Sequence, residues 1–407
     1  MFQEENKSAD SLNNSADQPS DQTNNQANIQ QEFSNAKVTI NVDGKELIFN
    51  NANISKVQSN GQETFQISQL RKKKRIFITG VAGFLGSHLA DALLKQGHEV
   101  VGCDNLIGGY MDNVPDEVEF YQVDCRYLNT MNKLMKGCDI VYHTACTAYE
   151  GLSVFSPHLV CQNTSQISAT LITAAITNKV KRFVYCSSMA RYGTQDVVPF
   201  TEDMTPKPQD PYGIAKYASE LLLKNLSEVH GMEYVIAVPH NIIGPRQKYD
   251  DPYRNVASIM INLMLQGRQP IIYGDGEQKR CFSFVEDDID CLLQLGFKDG
   301  LNGEIINIGP DEEFISINEL AKTIAELLNF DLKPIFMPGR PQEVKLASCS
   351  ANKARRLFNY STKVTLREGL QSMIDHIKAK GAKKFRYHLD LEIINEKTPK
   401  TWKNRLF

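Results

Sequence analysis

Tyr212 and Lys216 stand four residues apart in Asp210-Pro211-Tyr212-Gly213-Ile214-Ala215-Lys216, a spacing that puts both side chains on one face of a helix. Asp210 is a candidate N-cap, and Pro211 suits the first position of a helix. An ammonium beside a phenol favours the phenolate and lowers its pKa, which turns an unreactive side chain into a general base. Taken alone, such a pair is usually a helix-surface contact. A second segment gives it weight: Cys186-Ser187-Ser188-Met189-Ala190-Arg191-Tyr192-Gly193 directly follows the apolar run Phe183-Val184-Tyr185. Sheets of the α/β class present functional groups at that point. Ser188 offers a hydroxyl there that can assist Tyr212 in moving a proton.

A third segment is built for binding. Gly80-Val81-Ala82-Gly83-Phe84-Leu85-Gly86 lies between the strand-like Ile76-Phe77-Ile78 and a helical face made by Leu85, Leu89, Ala92 and Leu93. Glycines so spaced permit a tight turn and close backbone approach to a pyrophosphate, which then meets the helix N-terminus. Spaced glycines alone are a weak signal; strand, helix and an acid at the end of the next strand make it strong. That acid is Asp104, after Glu99-Val100-Val101-Gly102-Cys103. Its carboxylate can accept hydrogen bonds from ribose hydroxyls and would repel a 2′-phosphate. The expected cofactor is NAD, not NADP.

The elements that must position these groups follow from periodicity. Further strands are expected at Ile140–Tyr142, Phe183–Tyr185 and Tyr234–Val238, with helices over Ser165–Ile176 and Tyr212–Glu228. Alternating strand and helix predicts a doubly wound parallel α/β sheet, here spanning residues 71–245. Regularity weakens after Gly244, and residues 246–380 are expected to form a smaller substrate-binding lobe interleaved with the last sheet strands. Residues 381–407 read as a C-terminal extension. Residues 1–35, dominated by Asn, Gln, Ser and Asp, read as a disordered tail. Residues 36–70 read as a small β appendage, a hairpin turning at Asp43-Gly44. The basic run Arg71–Arg75 reads as the solvated approach to a buried strand.

Composition excludes several classes. The chain of 407 residues carries a formal charge of −3 with 42% hydrophobic residues, ordinary for a globular protein and without pull toward nucleic acid or an acidic membrane. No apolar run reaches the roughly 18 residues of a membrane helix. Nine scattered cysteines without a CxxC pair point to reduced thiols in the cytoplasm, and no metal site is expected.

With these motifs in register, the chain from about Arg75 to Ile377 resembles the extended short-chain dehydrogenase/reductase family, and within it the UDP-hexose 4-epimerases. The resemblance implies that Gly80, Gly83, Phe84, Leu85 and Gly86 hold the dinucleotide, with Asp104 on its ribose and Asp124 and Cys125 at its adenine. It implies Ser188, Tyr212 and Lys216 as the catalytic set, and Asn241, Arg280, Arg340 and Glu343 as holders of a nucleotide-diphosphate sugar. Guanidinium forks suit a diphosphate. Ala347 falls where the family has a gate beside the sugar C2 substituent, and a small residue there implies room for an N-acetyl group. A homodimer through sheet-flanking helices is also implied. Cys281, where many relatives have aspartate, and Pro239-His240, in place of an aromatic pair, depart from the pattern. The implied reaction is oxidation at C4 by NAD, rotation of the 4-keto sugar and return of the hydride to its other face. A 4,6-dehydratase or a uronate decarboxylase would begin in the same way. In relatives of those kinds an acid follows the catalytic hydroxyl at once or one residue later, where this chain has Met189 and Ala190. A non-catalytic NAD-binding subunit is the alternative of another class, and intact Ser188, Tyr212 and Lys216 disfavour it.

Overall fold

The computed structural model describes residues 32–42, 45–59, 62–69 and 73–407. The chain divides into two units, one ending at Lys73 and the other running from Lys74 to Phe407. In the first, strands Glu32–Val42 and Lys45–Ser59 pair antiparallel, as the expected hairpin requires, with Val42 opposite Lys45. A third strand, Gln62–Gln69, pairs with the second and was not foreseen. The first strand starts at Glu32, so the last residues assigned to the polar tail belong to the sheet. The rest of that tail lies outside the described residues, as does the Asp43-Gly44 turn.

The second unit is built on seven strands: β1 (Arg75–Thr79), β2 (Glu99–Asp104), β3 (Glu119–Gln122), β4 (Ile140–His143), β5 (Arg182–Cys186), β6 (Glu233–Pro239) and β7 (Ile305–Ile308). Every pairing between them is parallel, in the order β3-β2-β1-β4-β5-β6-β7. Apart from the largely exposed edge strand β3, these strands are mostly apolar runs buried on both faces; Ile76, Phe77 and Ile78 have no exposed surface. Burying each such side chain contributes about 1.5–3 kcal/mol, which fixes the register of the central strands. Arg75 opens β1 with its guanidinium on Glu119 at 2.6 Å and near Glu99 at 3.6 Å, as the solvated approach to a strand would. The order runs outward in both directions from the β1–β4 pair, so a crevice opens at the carboxyl ends of these two strands.

Helices cover both faces. Helix α1 (Phe84–Lys95) follows β1, α2 (Glu150–Ser153) follows β4, α3 (Ile167–Thr177) precedes β5, and α4 (Pro211–His230) precedes β6. Asp210 caps α4 by accepting from Gly213 N at 2.9 Å, the start chemistry read from sequence, and Gly231 ends the helix in a left-handed conformation. Helix α3 is entered through a π-helical turn, Gln162–Gln166, where periodicity suggested only a helix start. Such bulges recur at functional sites.

The smaller lobe grows from the later part of the chain. Helices Val256–Leu265, Ile317–Leu328 and Leu366–Lys380 share an apolar cluster with Ile272 and Phe282. The two-residue strand Lys279–Arg280 lies between Ile315–Ser316 and Leu346–Ala347. Segment 381–407 does not stand off as an appendage. Its Leu389 and Trp402 are buried with Tyr149, Leu152, Phe155 and Tyr253, and the Trp402 indole donates to the Pro252 carbonyl at 3.1 Å.

Candidate active site

Three elements converge on Tyr212. Helix α4 holds the phenol with only 4% of the residue exposed, and β5 delivers Ser188 just beyond its end. The Ser188 hydroxyl lies near enough to the phenol to pull its pKa down and accepts from Ala190 N at 3.2 Å. Lys216 is 1% exposed, donates to the Cys186 carbonyl at 2.7 Å and lies 5.9 Å from the centre of the Tyr212 ring. The sequence pattern predicts a lowered phenol pKa. In the structure burial dominates and pushes the phenol well above its usual value, with Cys146 and Glu150 acting the same way; Lys216 and the Ser188 hydroxyl pull it down. The ammonium acts in the expected direction but is outweighed. Burial opposes the Lys216 charge as well, yet Cys146, Tyr185 and Tyr212 around it hold the ammonium above the usual lysine range.

A cleft beside this trio is lined by Gly80, Gly83, Phe84, Leu85, Gly86, Asp104, Asp124 and Cys125, so the residues expected to hold the dinucleotide come together. Gly80 has φ +74°, and a side chain on Gly86 would meet the Gly80 carbonyl oxygen at 2.2 Å. Only glycine lets α1 start this close to the turn. No side chain caps that helix start, and its first turn holds no acid, which leaves free N–H groups for an anionic group. Asp104 accepts from Leu106 N at 2.7 Å and Ala82 N at 3.1 Å. These bonds fix its carboxylate, while burial raises its pKa. The buried Thr147 hydroxyl in the same cleft has no partner among the described residues. Glycine cradle, uncapped helix, fixed acid and orphan hydroxyl together fit a dinucleotide.

The larger cavity, about 340 Å³, is lined by Ser188, Tyr212, Asn241, Arg280, Arg340 and Glu343 among others. It shares Phe84, Leu85, Thr144, Cys146, Tyr149 and Arg254 with the cofactor cleft; of these, Cys146 packs against Tyr212. Arg280 is held by the Val344 carbonyl at 2.6 Å, and burial lowers its pKa. Arg340 donates to Glu343 at 2.8 Å and lies 4.8 Å over the Tyr273 ring, and its buried Nε has no partner among the described residues. Two half-buried guanidinium groups, one with an unused donor among the described residues, suit an anionic ligand. Asn241, with φ +43°, donates to the Cys281 carbonyl at 2.9 Å.

Ala347 is placed elsewhere. It is 4% exposed, packs with Phe200 and Cys349 in the core under the sheet, and does not line the cavity. Pairing of Leu346–Ala347 with Lys279–Arg280 turns its methyl inward, and Val344 supplies the cavity wall instead. The argument for an N-acetyl gate at this position thus loses its geometric basis.

Several site residues escaped sequence reasoning. Asn163 reaches the cofactor cleft from the π-helical turn. Glu220 of α4, also buried, accepts from the Ser187 hydroxyl and pairs with buried Arg191 at 3.0 Å, fastening the Ser188 loop to the helix that carries Tyr212. Its spacing from Lys216 was a usable signal. Trp402 and Phe407 line the cavity from the far end of the chain, beyond any local pattern. Glu150 enters it from α2.

Comparison with known proteins agrees with this geometry. Residues 76–309 match the model of the NAD dependent epimerase/dehydratase family. A putative UDP-glucose 4-epimerase of Methanocaldococcus jannaschii is 33% identical over 310 residues, 74% of this chain and 98% of that protein. The structure of UDP-glucose 4-epimerase from Thermotoga maritima with UDP-glucose superposes with a TM-score of 0.71 at 30% identity, covering 75% of this chain and 99% of that one. That of UDP-glucuronic acid 4-epimerase from Bacillus cereus with UDP-glucuronic acid and NAD gives 0.70 at 30% identity, covering 75% and 100%. The chain belongs to the NAD dependent epimerase/dehydratase family.

Proposed function

We propose that the protein epimerises C4 of a nucleotide-diphosphate sugar, with the UDP-glucose/UDP-galactose pair as its substrates and NAD as a retained cofactor. The observation that carries this is the position of Ser188, Tyr212 and Lys216 in the wall of the larger cavity, next to Cys146, which that cavity shares with the dinucleotide cleft and which packs against Tyr212. NAD, when bound, supplies the hydride acceptor and donor at C4. Tyr212 takes the proton of the 4-hydroxyl, with the Ser188 hydroxyl sharing it. Lys216 lowers the cost of negative charge on the phenol and holds the end of β5. Arg280 and Arg340 anchor the diphosphate, so the 4-keto sugar can turn about it and present its other face. Tyr212 then returns the proton.

One observation favours a second reading. Glu150 puts a carboxylate into the cavity, and an acid near C5 could begin 4,6-dehydration even though Met189 and Ala190 follow Ser188. NMR of purified protein with UDP-glucose separates the two. UDP-galactose as the product supports epimerisation; a 4-keto-6-deoxyhexose, or no conversion, overturns it.

The same reading takes the protein as a cytoplasmic homodimer. Ile214, Leu221, Leu222 and Val229 lie along α4 and are all at least 39% exposed, an apolar stripe suited to a twofold helix interface. Unbridged thiols such as Cys103 and Cys125, 3.6 Å apart, suit a reducing compartment. Light scattering should give twice the chain mass, and Leu221→Arg should halve it.

A further inference from the structure

Glu150 differs from the other acid lining the cavity in being uncommitted. Glu343 is tied to Arg340, and the nearby Asp210, outside the lining, caps α4 through Gly213 N. The Glu150 carboxylate, exposed within the cavity, makes no hydrogen bond or ion pair among the described residues; its backbone carbonyl accepts from the Ser153 hydroxyl at 2.6 Å. Its place is bounded on two sides. Its charge acts on Tyr212 and Asp210 at one end, and on Arg280 and Arg340 at the other. The residue beside it confirms the second boundary: a side chain on Gly151 would meet Arg340 Nη1 and the Trp402 ring at 3.3 Å each. A sugar linked to a diphosphate on the arginines, with its 4-hydroxyl at Tyr212, must lie across this same interval.

The charges facing Glu150 are unevenly engaged. Arg280 is spent on the carbonyls of Val344, Lys279 and Lys345, and Arg340 on Glu343. A bound diphosphate would draw further on both. Arg254 lies toward the cofactor, its Nη1 3.6 Å from where a Gly108 side chain would stand. Lys216 is turned onto the Cys186 carbonyl. Glu150 thus presents the cavity's one carboxylate that no ion pair ties down among the described residues.

We propose that Glu150 determines sugar specificity: its carboxylate accepts hydrogen bonds from the hydroxyls of a neutral hexose and repels the C6 carboxylate of a uronate. This rests on the epimerase reading above. It separates this chain from the Bacillus cereus relative, whose structure holds UDP-glucuronic acid. Rejection works through a like charge in a partly enclosed site, not through loss of fit.

The test measures binding and turnover of UDP-glucose, UDP-glucuronate and UDP alone by the parent protein, Glu150→Gln and Glu150→Asp. Because the side chain makes no hydrogen bond or ion pair among the described residues, both variants should fold as the parent does, and Glu150→Asp, which keeps the charge, should also keep its melting temperature. The parent should favour UDP-glucose over UDP-glucuronate in kcat/KM and in affinity by roughly 100-fold or more. Glu150→Gln should narrow both ratios by roughly 10- to 100-fold, mainly through gain on the uronate, whereas Glu150→Asp should keep them. A parent that handles both sugars equally, or a Gln variant that shifts both alike, would overturn the proposal while leaving the epimerase reading intact. Failure of the parent to bind UDP or either sugar nucleotide would remove that reading, and this one with it.

Discussion

The Lys216 ammonium donates to the carbonyl of Cys186 at 2.7 Å and sits 5.9 Å from the centre of the Tyr212 ring. It acts on the base through space while closing the end of the strand that carries Ser188. Two roles in one side chain mean that Lys216→Met should lower kcat roughly 100-fold or more and also destabilise the fold. Tyr212→Phe keeps the ring and should lower turnover by roughly two to four orders of magnitude, with NAD affinity preserved. Steady-state rates together with NAD titration check both. Turnover near that of the parent in Tyr212→Phe would remove the phenol from its role.

Asp104 is held by two backbone N–H groups with its carboxylate facing the cofactor cleft. The purified protein should carry NAD. Asp104→Ala should weaken NAD by roughly 10-fold or more, the loss of charged hydrogen bonds to ribose hydroxyls, and should narrow the preference over NADP. Fluorescence titration with both cofactors measures this, and tighter binding of NADP by the parent would contradict it.

The Asp210 carboxyl is raised from 3.8 to about 7, first by burial and then by the charge of Glu150. A carboxyl whose folded pKa is raised binds its proton more tightly when folded. Its stabilising effect is complete below pH 3.8, declines as pH rises through this window and is gone above about 7. Asp210→Asn should thus flatten the fall in melting temperature between about pH 5 and 8, and Glu150→Gln should move that fall to lower pH. Scanning calorimetry across the range checks both, and parallel curves for all three proteins would show that this carboxyl does not titrate there.

Relatives are matched over nearly their full length by about three quarters of this chain, and the first 73 residues form a unit of their own. A protein starting at Lys73 should keep its melting temperature within about 2 °C and its kcat within about twofold of the parent. Loss of folding on that deletion would show that the N-terminal unit supports the enzyme.

What could be read from sequence was what short-range chemistry writes. The strand, glycine turn and acid around Gly80 and Asp104 are local, as is the helix start at Asp210-Pro211, and all formed as expected. What stayed hidden depends on distant pairing. Ala347 turns inward because its strand joins Arg280, far back in the chain, and no periodicity of a two-residue strand reports which face it shows. Trp402 reaches the cavity only because the C-terminal segment folds over Pro252 and Tyr253. The phenol pKa was misjudged because neighbours are legible in a helix and burial is not.

Oxidation at C4 followed by return of the same hydride leaves a mark that no rival reaction leaves. UDP-glucose carrying deuterium at C4, incubated in ordinary water and followed by proton NMR, reads it directly. Conversion to UDP-galactose that still holds the deuterium at C4, with no solvent hydrogen entering C5, is the outcome expected of Tyr212, Ser188 and Lys216 acting with retained NAD. Loss of the label to water, exchange at C5, or no galactose product would contradict the assignment.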